Sequence, residues 1–156
     1  MSELESELAQ APVFAGLSPA HLAVIAGCGR DDRVPIGTLL LREGEPADTF
    51  YLIRAGAVAL EVQSPAHGPL LIETLHDHDV AGWSWLFAPY RWQMDGRTTR
   101  ECRLVAFDAA CLRGECDADY ELGYELMRRF AAIIVDRLQA TRLQLLDVYG
   151  RAPASA

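Results

Sequence analysis

Between residues 31 and 108 the chain alternates short runs of β-forming residues with polar, glycine-containing turns, and this alternation restricts the folds open to it. The stretch "TLLLREGEPADTFYLIRAGAVALEVQ" is broken by Gly44 and Gly56, and "GPLLIETLHDHDV" and "ECRLVAFD" repeat the form. Several short strands joined by tight turns are typical of a sandwich or barrel and not of a parallel α/β sheet. We therefore expect a mainly β fold over residues 31–108.

Helical segments flank this β region on both sides. Residues 1–30 contain two helix starts, at Ser2 and at Ser18, each with a side chain that can cap the first turn. A single long helix is expected over residues 117–149, because no proline occurs there and apolar residues recur every three or four positions. Residues 1–150 then form one domain, and residues 151–156 form a flexible tail.

The long helix carries an apolar stripe that predicts a dimer. A helix of about 30 residues is about 45 Å long, whereas a domain of this size is about 30 Å across. Part of the stripe should therefore overhang and pair with the same helix of a second copy. The residues expected at this homodimer interface are Leu126, Phe130, Ile134, Leu138, Thr141 and Leu145, with Leu122 and Val148 extending the stripe at its ends.

Charge and cysteine content limit the setting and the partners. The net charge is −8, which disfavours nucleic acid unless positive charge is concentrated on one face. No apolar run is long enough to span a membrane, and the four cysteines form no C-x-x-C pair, so we expect a reduced, cytoplasmic setting. Buried or idle thiols are the expected state, and Cys111 and Cys116 are the alternative candidates for a redox pair or half a metal site.

The order of these segments resembles the cyclic nucleotide-binding domain of bacterial catabolite-activator-type regulators and of regulatory kinase subunits. The resemblance rests on the glycines of "IGTLLL", "REGEPAD" and "IRAGAV", namely Gly37, Gly44 and Gly56, and on "GWSWL" before a long closing helix. It covers residues 11–149 and implies a β-roll (jelly-roll) flanked by helices, with the last helix at a dimer interface. It also places a turn glycine at the position of His78.

The resemblance identifies "GWSWLFAPYRW", residues 82–92, as the ligand cassette, a name kept for this segment below. In the family a Gly-Glu pair begins a short helix whose N–H groups hold the cyclic phosphate, the Glu binds the ribose hydroxyl, and an Arg about ten residues later pairs with the phosphate. Here Gly82 and Leu86 match, but Trp83 stands at the Glu position and Trp92 at the Arg position. The candidate ligand-binding residues are Gly82, Trp83, Ser84, Trp85, Leu86, Arg91, Trp92 and Arg97.

Arg91 is the candidate substitute for the missing phosphate partner, although a one-residue step reverses the direction of a side chain in an extended segment. The tryptophans could stack on a flat ligand or fill the cavity themselves. The candidate ligand is a cyclic nucleotide or another small anion, and no cofactor is implied with certainty.

We expect a regulatory or sensor module, not an enzyme, that acts through a protein partner. Only about seven residues follow Tyr149, so no recognition helix is expected and direct DNA binding is not predicted. Two alternatives remain open. The first is a ligand-free scaffold or accessory subunit of a larger, redox-active complex. The second is a small cupin-like metal enzyme that uses His76 and His78, although a polar turn is the favoured interpretation of that H-x-H pair.

Overall fold

The computed structural model describes residues 2–150, with the exception of the Tyr149 side chain, so the tail expected at 151–156 lies outside the described residues. The helices are α1 (Glu3–Gln10), α2 (Pro19–Gly27), α3 (Ala109–Ala118) and α4 (Tyr120–Gly150). The strands are β1 (Gly29–Val34), β2 (Leu39–Leu41), β3 (Thr49–Ala55), β4 (Val58–Ser64), β5 (Gly68–Leu75), β6 (Val80–Ala81), β7 (Asp95–Thr98) and β8 (Cys102–Asp108).

The eight strands of the described chain form two four-stranded sheets, and this confirms the predicted β-roll with flanking helices. One sheet has the order β1-β8-β3-β6 and the other has the order β2-β7-β4-β5. Every strand pair is antiparallel. The glycines at 37, 44 and 56 all adopt positive φ, as expected for tight turns. His78 also has a positive φ, of 72°, at the position where the family resemblance expects a glycine.

Both predicted N-caps are present at the helical lead-in. The backbone N–H of Glu5 donates to the hydroxyl of Ser2 over 3.1 Å, and that of His21 donates to the hydroxyl of Ser18 over 3.2 Å. Phe14, between the two lead-in helices, is buried in the core. These caps satisfy N–H groups that would otherwise lack partners at the helix ends.

The closing segment contains two helices where the sequence predicts one. Helix α3 begins directly after β8, with Asp108 as its N-cap, and ends at Ala118. Asp119 has extended backbone and accepts hydrogen bonds from the N–H groups of Glu121 and Leu122, so it ends α3 and opens the first turn of α4. No helix of the described residues is long and apolar enough to cross a membrane.

The apolar residues of α4 lie on two faces rather than on one stripe. Leu126 and Phe130 have no solvent exposure and belong to the core of their own domain, together with Leu122. Leu138 and Leu145 are 60% and 54% exposed. The prediction that Leu126 and Phe130 contact a second copy is therefore wrong, because the first turns of α4 press this side against the roll.

The cysteines depart from the expected set of idle thiols. Cys28, at the end of α2, forms a disulfide with Cys111 in the first turn of α3, 83 residues later. Cys102 and Cys116 are free and buried. The suggested pairing of Cys111 with Cys116 is therefore wrong, because the fold brings α2 and not the later turn of α3 to the sulfur of Cys111.

Candidate functional site

The cassette connects β6 to β7 at the end of the roll. Gly82 follows β6 with a φ of +100°, a left-handed conformation that other residues adopt at a cost. A short 3₁₀ helix, Ser84–Leu86, follows and packs into the core. Tyr90 also has a positive φ, of 57°, so the chain turns again just before the end of the segment.

Trp85 belongs to the core and not to a ligand surface. Its side chain has no solvent exposure, and its ring stacks on Phe50 at 4.3 Å between centroids. The ring also meets Phe130 of α4 edge-on at 5.2 Å. This aromatic contact ties the cassette directly to the long helix.

Trp92 fills the space next to Gly82 at the start of the cassette. A Cβ atom built on Gly82 would stand 2.5 Å from both Cη2 and Cζ3 of Trp92, so the six-membered ring of the indole is in direct contact with the glycine. Trp92 is 5% exposed. The remaining cavity around the two residues measures about 10 Å³, which holds at most one water molecule.

The two candidate arginines do not join Gly82 and Trp92. Arg91 is exposed, and its Nη1 donates to the carbonyl oxygen of Gly44 over 2.9 Å. Arg91 forms an isolated antiparallel bridge with Pro46, and side chains alternate between the two sides of such a segment. Trp92 therefore points inward and Arg91 outward. Arg97 lies on β7, exposed, with its Nε 3.8 Å from the Glu61 carboxylate.

Trp83 meets an arginine from α4 that the sequence analysis missed. The guanidinium of Arg137 lies 5.0 Å from the centroid of the Trp83 ring, and its Nη1 is 2.5 Å from Oε2 of Glu73 on β5. Only 11% of the Arg137 side chain is exposed, and burial lowers its pKa. Its Nε is buried and finds no hydrogen-bond partner among the described residues. The helical position alone does not reveal this contact, since Glu73 is 64 residues away.

Arg113 of α3 holds the cassette from the other side, and the sequence analysis missed it too. Its Nη1 donates to the carbonyl oxygen of Trp85 over 2.7 Å. Its guanidinium lies 4.4 Å from the centroid of the Tyr90 ring. Two arginines, one on α3 and one on α4, thus fix the two ends of this segment.

The H-x-H pair lies in a turn. His76 and His78 follow β5 and precede β6, and the N–H of His78 donates to the carbonyl of Ile53 over 2.7 Å. Within residues 2–150 no three His, Cys, Asp or Glu side chains are grouped as a metal site would require. The two histidines are therefore residues of the turn that joins β5 to β6.

Comparison with known proteins places these features in one family. The model of the cyclic nucleotide-binding domain matches residues 32–119. A CRP-like cAMP-activated global transcriptional regulator from Mycobacterium tuberculosis is 27% identical over 145 residues, which are 93% of this chain and 63% of the relative. The chain thus spans less than two thirds of the length of the curated relatives it matches.

Solved structures agree with this assignment. A protein of the cyclic nucleotide-binding class from Geobacter metallireducens GS-15 superposes with a TM-score of 0.78 at 28% identity, over 88% of this chain and 99% of that one. A cyclic nucleotide-binding domain from Methylobacillus flagellatus KT has the same TM-score at 16% identity, over 92% of this chain and 81% of its own, and so supports the fold alone.

Proposed function

Because the chain belongs to the cyclic nucleotide-binding domain family, we propose that it is a regulatory module whose own Trp92 occupies the nucleotide cavity and whose α4 helix acts on a protein partner. The observation that carries the proposal is the contact of the Trp92 ring with Gly82. In this conformation the Trp92 ring takes the place of a ligand, and we call this the closed form of the cassette. The net charge of −8 favours a protein over nucleic acid as the partner.

The filled cavity sets a high cost for nucleotide entry. Small-molecule sites usually enclose about 300–1,000 Å³, whereas the space beside Trp92 is about 10 Å³. Expelling the indole would return about 150–250 Å² of buried surface to water, which at 25 cal/mol per Å² costs about 4–6 kcal/mol. That cost alone would weaken binding by about a thousandfold or more.

The charged partners of the family cassette are also absent from the cavity. Trp83 cannot accept a hydrogen bond from a ribose hydroxyl. Arg91 donates outward, to Gly44, and does not face Gly82. A hydrogen bond to a charged group contributes about 1.5–3 kcal/mol, so losing the phosphate partner lowers affinity by a further ten- to hundredfold or more.

Contacts between the cassette and α4 provide the route for a signal. Trp85 meets Phe130 edge-on, and Trp83 lies under Arg137. A rearrangement of the cassette should alter both contacts, because each joins a cassette side chain to α4. We propose that the position of α4 reports the state of the cassette as a two-state equilibrium.

The second face of α4 supports a homodimer. Its members recur with alternating spacings of three and four, the heptad pattern of a two-stranded coiled coil. Those that are exposed or half-buried are Tyr124, Met127, Ala131, Ile134, Leu138, Thr141, Leu145 and Val148, and we call this set the α4 seam. Large apolar side chains repeated along an exposed helix face are typical of an interface. The seam keeps Ile134, Leu138, Thr141 and Leu145 of the predicted dimer stripe and replaces Leu126 and Phe130 with Met127 and Ala131.

Calorimetric titration with cAMP and with cGMP tests the closed cassette. We expect no saturable heat for the wild-type protein up to about 1 mM nucleotide. The variant Trp92→Arg removes the plug and supplies the family's phosphate partner, and adding Trp83→Glu restores both polar contacts, so binding should appear in the first variant and strengthen in the second. Arg91→Ala is the matched control and should behave as the wild type. Micromolar binding by the wild type would contradict the proposal.

A cAMP sensor is the second candidate function. It is favoured by one observation, that the matched Mycobacterium tuberculosis relative is a cAMP-activated regulator. In this case Trp92 would leave the cavity as the nucleotide enters. The same titration separates the two functions, since a sensor must bind the nucleotide as the wild-type protein.

A further inference from the structure

We propose that the Cys28–Cys111 disulfide is a reversible modification site for a dithiol reductant and that its state sets the mobility of the cassette through Arg113. The inference goes beyond the proposed function, because it involves no nucleotide. It rests on three observations. The disulfide is accessible from the side of Cys111. A non-covalent contact also joins α2 to the end of α3. Helix α3, which the disulfide anchors, contacts the cassette through Arg113.

Solvent reaches the disulfide from the α3 side. Cys111 is an exposed residue, whereas Cys28 is 7% exposed. Their Cα atoms are 5.7 Å apart, so neither backbone segment must move for the bond to close again. Attack by an incoming thiolate is therefore directed at the Sγ atom of Cys111.

The exchange balances as a two-electron transfer. A thiolate of the dithiol attacks Sγ of Cys111, the S–S bond breaks, and its electron pair leaves on Sγ of Cys28, which takes up a proton. The second thiol of the reductant then attacks the mixed disulfide and releases Cys111 as a thiol. The net reaction turns one disulfide and one dithiol into two protein thiols and an oxidised reductant.

The remaining cysteines do not compete in this exchange. Cys102 and Cys116 are buried. Burial, together with the neighbouring carboxylates of Asp117, Asp119 and Glu115, raises the pKa of Cys116 to about 11, so its thiolate is scarce near neutral pH. Burial also raises the pKa of Cys102. The reactive pair is thus confined to the junction of α2 and α3.

Helix α3 stays attached after reduction but loses its covalent anchor. At the far end of the helix, Nε2 of His21 on α2 lies 3.1 Å from the carboxylate of Asp119. Near the disulfide, the N–H of Asp108 donates to the carbonyl of Cys28 over 2.9 Å. These non-covalent ties keep the helix in place while allowing larger excursions of its first turns.

The first turns of α3 are also those that hold the cassette. Arg113 lies two residues after Cys111, and it binds the Trp85 carbonyl and covers the Tyr90 ring. A looser α3 weakens both contacts together, because they arise from one side chain. The oxidised form therefore presents a rigid cassette, and the reduced form presents a more mobile one.

Thiol counting and hydrogen exchange test the proposal on the whole protein. After mild oxidation, denatured protein should show two titratable thiols and a cross-linked peptide joining residues 28 and 111. After dithiothreitol it should show four thiols and no cross-link. Amide exchange in residues 83–92 and 109–118 should be several-fold faster in the reduced form.

Three variants test whether the state of the disulfide changes the mobility of the cassette through Arg113. Cys111→Ser should exchange like the reduced wild type with or without dithiothreitol, and the control Cys116→Ser should keep the redox response. Arg113→Met should abolish the redox response in residues 83–92 and retain it in 109–118. Four thiols in the oxidised protein, or unchanged exchange in residues 83–92 on reduction of the wild type, would overturn the proposal without bearing on nucleotide binding.

Discussion

Replacing Gly82 by alanine should destabilise the fold strongly, and the same replacement should cost less when it is made in a Trp92→Ala background. At Gly82 the backbone φ is +100°, which costs a residue with a Cβ about 1–2 kcal/mol. The added methyl group would stand 2.5 Å from two atoms of the Trp92 ring, well inside the usual 3.5–4.0 Å contact between carbons. Overpacking of this kind costs about 1–3 kcal/mol, so we expect a total loss of about 2–5 kcal/mol.

A double-mutant cycle separates these contributions. Trp92→Ala alone should cost about 3–5 kcal/mol, because a large buried ring is removed. Relative to Trp92→Ala, the added Gly82→Ala has no clash and costs only the φ term, which predicts a coupling of about 1–3 kcal/mol. Urea unfolding should be followed by far-UV circular dichroism, since the substitution removes a fluorophore, with the slope m checked for constancy.

A matched control measures the backbone cost by itself. Gly37 has a similar φ of +86° and no atom within 4 Å of the Cβ position. Gly37→Ala should therefore lose about 1–2 kcal/mol and show no coupling to Trp92→Ala. Additivity within about 0.5 kcal/mol in the Gly82 cycle would mean that the indole ring does not rest on the glycine.

Four further outcomes are expected. Leu138→Asp should give a monomer in sedimentation, whereas Leu143→Asp, exposed but off the α4 seam, should leave the dimer intact; equal masses for the two variants would exclude the seam. Reducing the disulfide, whose ends are 83 residues apart, should lower the unfolding free energy by about 4.5 kcal/mol and the melting temperature measurably. The hydrogen bond from the N–H of Leu122 lowers the pKa of Asp119, so stability should fall as the pH drops below about 4, and Asp119→Asn should reduce that dependence in acid titrations of stability. With a pKa of about 11, Cys116 should be ionised in only about one molecule in a thousand at pH 8, and mass spectrometry should find it alkylated far more slowly than an unfolded peptide control.

The fold could be predicted because its signals are local. Turn glycines such as Gly44 and Gly56 separate short β-forming runs, and serine N-caps mark the starts of the first two helices. The position of the cassette followed from the same order of segments. Helix α3 was not predicted, and the extended backbone of Asp119 separates it from the predicted long helix.

The content of the cassette could be predicted only in part. The alternation of side chains in an extended segment indicates that Arg91 and Trp92 face opposite ways. In the structure Arg91 points outward and donates to Gly44. Which of the two fills the cavity depends on Gly82, whose missing side chain leaves room for an indole ring. No sequence pattern specifies that contact.

Long-range pairings were beyond sequence reasoning for a simple physical reason. Cys28 and Cys111 are 83 residues apart, and four cysteines allow several pairings. Arg137 of α4 meets Glu73 and Trp83 because α4 lies along β5, and neither contact is visible in the helical spacing. The split of α4 into two faces has the same origin, since the roll covers one side of its first turns.

The contact between Trp92 and Gly82 is the central claim, and nuclear Overhauser measurements on the free protein test it most directly. We predict strong cross-peaks between the ring protons at Cη2 and Cζ3 of Trp92 and the Hα protons of Gly82, with ring-current shifts of those Hα protons that Trp92→Ala removes. The cross-peaks should persist when about 1 mM cAMP is added. Their absence from the free protein, or their loss on addition of the nucleotide, would contradict a cassette closed by its own tryptophan.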